Sequence, residues 1–138
     1  MSSSTVASER NAAHPPGRGM LWAGRILSAL PVLMLLSSAS MKFARPPMVI
    51  EQFVGKFGYP ESLLFTLGVL ELSCAVLYVI PRTAILGAVL LTGYLGGAIA
   101  THVRVSDAGF VTPLALGACI WTGVWLRDQR LRTLLPLR

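Results

Sequence analysis

Apolar residues in this chain come in four long blocks. Leu21–Met41, Ser62–Ile80, Ala84–Thr101 and Phe110–Leu126 hold two charges between them, Arg25 and Glu71. Each block is close to the ~20 residues that carry an α-helix across ~30 Å of hydrocarbon. The pattern predicts an all-α polytopic membrane protein. Four transmembrane helices, about 21–41, 62–80, 84–101 and 110–126, are expected in an antiparallel bundle.

A shorter pattern lies between the first two blocks. Val49, Ile50, Phe53, Val54 and Phe57 recur at helical spacing, with Glu51, Gln52 and Lys56 on the other side. Pro47 suits a first helical position and Gly58 a stop. An amphipathic helix over about 47–57 is too short to span and belongs in the interface plane. Pro31 is expected to bend the first span. Pro81 ends the second, and only Pro81-Arg82 separates it from the third, so the two must be antiparallel neighbours, with Thr83 as the cap of the third. Gly93 and Gly97 form a G-x-x-x-G, a spacing for close helix packing within the bundle or for a homo-oligomer.

Residues 1–19 are rich in Ser, Ala and Pro without apolar periodicity and read as a disordered cytoplasmic tail, leaving 20–138 as one membrane domain. A cleaved signal peptide is the competing reading, with Arg18 before the apolar run and Ser37-Ser38-Ala39 as a small-residue cleavage site. The length of the run, Arg25 inside it and three further spans argue against it.

Composition sharpens the class. Apolar residues make up 54% and charged ones 13%, against about 25% charge in soluble domains, and the mean hydropathy is +0.64. The net charge of +6 comes from residues at helix ends and tails. No basic stripe with interleaved aromatics suggests a nucleic-acid partner; the lipid bilayer is the expected one. One side of the four spans carries Arg10, Arg18, Arg82, Arg127, Arg130, Arg132 and Arg138, and the other Lys42, Arg45, Lys56 and Arg104. Both termini are therefore expected in the cytoplasm. Cys74 and Cys119 fall inside spans without metal-ligand spacing, so no metal site is expected.

The candidate chemistry gathers around one acid. Glu71 is about 13–14 Å into a span that begins at Ser62, near the bilayer centre. A charge there costs at least ~2.5–3.5 kcal/mol on insertion scales, so Glu71 must face inward and find a partner or a proton. Tyr94 lies at the same depth in the third span. Arg25 either snorkels to the inner headgroups or reaches toward the acid from the cytoplasmic side. Lys42, His102 and Arg104 sit at outer span ends and are expected as a basic cluster above the glutamate. Two roles stay open for Glu71: a buried ionic group that fixes helix register, and an acid lining a ligand or proton site.

Several stretches carry a resemblance: Gly24-Arg25-Ile26-Leu27-Ser28, Ser40-Met41-Lys42-Phe43, Gly58-Tyr59-Pro60, Gly68-Val69-Leu70-Glu71-Leu72, Ile80-Pro81-Arg82-Thr83-Ala84, and Tyr94 through Arg104. With them the chain, from about Trp22 to Pro136, resembles the DoxX-like family of small bacterial four-helix membrane proteins. The resemblance implies a multi-pass protein of the bacterial inner membrane. The family name comes from a membrane subunit linked to thiosulfate:quinone oxidation, and other relatives are associated with redox or oxidative-stress assemblies. No catalytic residue set comes with it. The resulting expectation is a non-catalytic subunit or scaffold with an oxidoreductase partner, binding a quinone-like or other amphipathic ligand around Glu71, Tyr94 and His102. The alternative is a small proton-coupled transporter using Glu71. No phosphate loop, dinucleotide glycine pattern or nucleophile set supports a self-contained enzyme.

Overall fold

The computed structural model describes residues 17–134. Most of the tail expected at residues 1–19 lies outside the described residues, and Arg18 and Gly19 already belong to the first helix. All regular structure among the described residues is helical. It comprises α1 (Arg18–Ala44), α2 (Pro47–Ile50, continued by a π-helical turn over Glu51–Lys56), α3 (Leu63–Val79), α4 (Ala84–Arg104), α5 (Val111–Arg127, led in by a 3-10 turn at Ala108–Phe110) and α6 (Gln129–Leu134).

Three of these helices are long and apolar enough to cross a membrane: α1, α4, and α5 with its lead from Ala108. The apolar α3 has 17 residues and falls just short of that length. Contacts run from α1 to α3, α3 to α4, α4 to α5 and back to α1. Leu35, Tyr78, Ala88, Leu91, Ile120 and Val124 fill the space between them. Large apolar side chains also cover the outside, among them Ile26, Leu33, Phe65, Leu86 and Leu114. A protein as apolar outside as inside is what lipid requires, since hydrocarbon does not drive such groups inward.

The boundaries differ from the sequence expectation where side chains find partners. α1 runs unbroken through Pro31 and past Met41 to Ala44, because Lys42 is buried and Phe43 meets the Phe65 ring edge-on at 5.7 Å. Arg45, at φ 50, closes the helix with its amide on the Met41 carbonyl. The short amphipathic helix starts at Pro47 and its turns end at Lys56, just before Gly58, whose φ is +71. Val49 and Phe57 are buried as expected, but Val54 is 42% exposed and leaves that face. Thr83 takes the N-cap position of α4, as expected, but its side chain makes no capping hydrogen bond there. Its hydroxyl donates to the Leu77 carbonyl at 2.8 Å, one of the groups orphaned where Pro81 stops α3. α6 is also new: Asp128 Oδ1 accepts from the Arg130 and Leu131 amides, and Leu131 is buried in the core.

Gly93, Gly96 and Gly97 correct another expectation. A Cβ built on any of them would meet nothing within 4 Å, so among the described residues no other helix packs closely on the G-x-x-x-G. The close approaches are elsewhere. A Cβ on Gly24 would stand 3.0 Å from the Leu126 Cβ, and one on Gly123 would stand 2.4 Å from the Ser28 hydroxyl.

Candidate functional site

Glu71 is the middle residue of α3, and it is buried. Its partner is Lys42. The lysine Nζ donates to Glu71 Oε2 at 2.7 Å and to Ser38 Oγ at 2.6 Å, and Ser38 Oγ stands 3.3 Å from the same carboxylate oxygen. Local packing explains how a lysine near the end of α1 gets there. Gly68 lets the helices close, with its missing side chain's place 2.9 Å from the Phe43 ring and 3.4 Å from Lys42 Cβ. From that level the ammonium reaches one turn along α3 into the core rather than out to water. The side chains of Lys42 and Glu71 are only 9% and 3% exposed. Each charge offsets the cost of placing the other in hydrocarbon.

Tyr94 neighbours the Glu71 carboxylate, as its depth in the sequence suggested. Both border a cavity of about 210 Å³, together with Lys42, Phe53, Pro113 and Leu116. A larger groove of about 330 Å³ adjoins it, and Phe53, Tyr94 and Ala98 line both. Phe57 and Tyr59 wall this groove, and Gly93 and Gly97 form its floor. Thr101 Oγ1 donates to the Gly97 carbonyl at 2.9 Å, so the Tyr59 hydroxyl, 2.8 Å from Thr101, is the donor in their mutual bond.

The expected outer basic cluster separates into independent contacts. Lys42 goes inward to Glu71. His102 Nδ1 lies 2.6 Å from Asp107 Oδ2, and its ring meets the Phe57 ring edge-on at 5.0 Å. Arg104 donates to the Phe57 carbonyl and lies over the Tyr59 ring at 5.7 Å. Lys56 Nζ completes the loop, 3.1 Å from Asp107 Oδ2. The hydrogen bond from His102, then the one from Lys56, pulls the Asp107 carboxyl down to about 2. Arg25 does not reach toward Glu71. It stands 5.6 Å from the Trp22 ring at the other end of α1, about 25 Å of helical rise from Lys42.

Sequence reasoning missed Ser38, Phe53, Lys56 and Asp107. Ser38 had a signal: it lies four residues before Lys42, on the same helix face. Asp107 is the acid of the short loop after α4, where two cations need a counter-charge. Phe53 gave none, because nothing in a short amphipathic helix says which cavity it will roof.

Together these features define a membrane-embedded helical protein whose buried ion pair borders a small cavity that adjoins an aromatic-walled groove. The DoxX-like family model matches residues 26–123. The chain belongs to the DoxX-like family. No curated protein and no solved structure matches it.

Proposed function

We propose that this chain is a non-catalytic integral membrane subunit of a redox-linked or oxidative-stress assembly, and that the groove beside Tyr94 holds a quinone-like amphipathic ligand. In this reading residues 20–138 form one domain in the bacterial inner membrane. α1, α3, α4 and α5 cross it as an antiparallel four-helix bundle, with both termini in the cytoplasm. The ring of helix contacts and the tight turn at Pro81 support the bundle. The count of Lys and Arg on each side supports the orientation.

The observation that carries the ligand reading is the position of Tyr94, which faces the buried Glu71 and also lines the apolar groove. At about 330 Å³ the groove is of the size of small-molecule sites, which run from about 300 to 1,000 Å³. Its walls are apolar and aromatic, and the hydroxyls of Tyr59, Tyr94 and Thr101 border it. Native mass spectrometry of the full chain, extracted in mild detergent and supplied with decylubiquinone, tests this. One quinone per chain is expected, and Gly97→Leu, which fills the floor, should remove it. Quinone adducts no more frequent than those of an inert detergent, or retained by Gly97→Leu, overturn the reading. A copurifying oxidoreductase subunit is expected in native membranes. A second copy seated on Gly93 and Gly97 would cover the same groove, and cysteine crosslinking at those positions detects it.

The alternative reading, a proton-coupled transporter, draws on the position of Glu71 at the wall of the 210 Å³ cavity. It requires that acid to exchange protons, although Lys42 already stands 2.7 Å away as its ion-pair partner. Loss of pH-driven flux from vesicles on Glu71→Gln would favour it.

A further inference from the structure

At the opposite end of the molecule, two cavities meet. One, about 480 Å³, lies where the α3–α4 turn and the α5–α6 break face α1, and Arg25, Arg127 and Arg130 line it with Pro81 and Asp128. The other, about 270 Å³, is an open groove between α1 and α3, bordered by Ala29, Val32 and Val79. Arg25 and Arg127 line both, so they stand at the junction of a polar chamber and an apolar groove.

The charges in the polar chamber are poorly balanced from within the protein. Asp128 is its acid, and one carboxylate oxygen already accepts from the backbone at the start of α6. Arg127 is held in place, donating to the Tyr78 carbonyl at 2.9 Å with its guanidinium 4.6 Å over the Tyr78 ring. Its buried Nε has no acceptor among the described residues. A buried donor without a partner costs about 1–3 kcal/mol, so a site that keeps one beside two further arginines is suited to an anion. Trp22, exposed beside Arg25, is the side chain type that settles at headgroup level.

We propose that this junction is a binding site for an anionic phospholipid. The phosphodiester is held by Arg25, Arg127 and Arg130, and one acyl chain lies along Ala29, Val32 and Val79. Basic pockets between membrane helices are suited to such headgroups. The apolar groove is what selects a lipid over free phosphate, because an inorganic anion leaves it unfilled. The site is separate from the groove beside Tyr94 and does not depend on the function assigned there.

The test uses the full chain in a neutral detergent, measured by native mass spectrometry and thermal unfolding. Three additions are compared: phosphatidylglycerol, phosphatidylcholine and inorganic phosphate. Phosphatidylglycerol alone should remain bound through collisional activation and raise the unfolding midpoint. The double variant Arg25→Gln/Arg130→Gln, which leaves the Arg127–Tyr78 contact intact, should weaken that binding about thirtyfold, from ~1 kcal/mol per arginine. Equal effects of the two lipids would overturn the proposal. So would stabilisation by phosphate as strong as by phosphatidylglycerol, which would mark a plain oxyanion site. Unchanged lipid preference in a folded double variant would overturn it too, and should that variant not fold, Val32→Trp, which fills the groove, must abolish the preference instead.

Discussion

Gly87 of α4 lies against the backbone of Tyr78 on α3. A Cβ at position 87 would stand 2.3 Å from the Tyr78 amide nitrogen and 2.5 Å from its Cα. That neighbour is main chain and cannot swing aside. Overpacking a tight core typically costs about 1–3 kcal/mol, and this contact belongs at or above the upper end. Gly87→Ala should therefore lower stability by about 3 kcal/mol in denaturant titrations of the detergent-solubilised protein. Gly93→Ala, built into open space, should leave stability unchanged or slightly raised.

The Lys42–Glu71 pair should show strong non-additivity. Removing either partner strands a buried charge, and Lys42→Met or Glu71→Leu alone should cost about 3–5 kcal/mol. The double variant Lys42→Met/Glu71→Leu removes both charges and should recover most of that loss. Equilibrium unfolding of the four proteins of the cycle measures the coupling, and a coupling near zero would contradict the buried pair.

Tyr78 is fully buried, and its hydroxyl lies 2.9 Å from both Ser28 Oγ and the Ile120 carbonyl. The Ser28 hydrogen is committed to the Gly24 carbonyl at 2.7 Å, so the tyrosine is the donor that joins α3 to α1 and α5. Tyr78→Phe should cost about 1–3 kcal/mol by leaving the Ile120 carbonyl and Ser28 oxygen without it. The same unfolding measurement checks this.

The outer loop carries a pH prediction. The folded carboxyl of Asp107 titrates at about 2, below its ordinary value. Its contribution to loop order is thus complete above about 4 and is lost as the pH falls toward 2. Carboxyl-carbon NMR should show that low midpoint. His102→Ala, which removes the larger cause, should raise it toward the ordinary value more than Lys56→Ala does. A midpoint near 4 in the unaltered protein would rule the contact out.

Much of this fold is legible in the sequence because lipid imposes a simple rule on length and charge. The four apolar blocks, the Pro81 turn, the Pro47 start and the Gly58 stop all follow from single residues with fixed backbone effects. The depth of Glu71 was also readable, and so was its nearness to Tyr94. Its partner was harder to read. Arg25 and Lys42 are both cations at opposite ends of one helix, and only the approach at Gly68 decides which turns inward. The glycines misled for a related reason. G-x-x-x-G marks where a helix can be approached, while Gly24, Gly87 and Gly123 are where it actually is. α6 was hidden because its six residues bury one side chain, Leu131, below any periodicity that a basic tail can display.

The unequal lengths of α1 and α3 have a consequence for the surrounding lipid. The 27 residues of α1 rise about 40 Å, and the 17 of α3 about 25 Å. Neighbouring rods that differ by about 15 Å cannot both match one flat hydrocarbon slab of ~30 Å. In the proposed four-span arrangement the acyl chains shorten beside α3, while Arg18 and Arg45 at the two ends of α1 mark headgroup planes further apart. Each ångström of mismatch costs a fraction of a kcal/mol. Stability should therefore vary with acyl-chain length, and thick, ordered bilayers should exclude the protein.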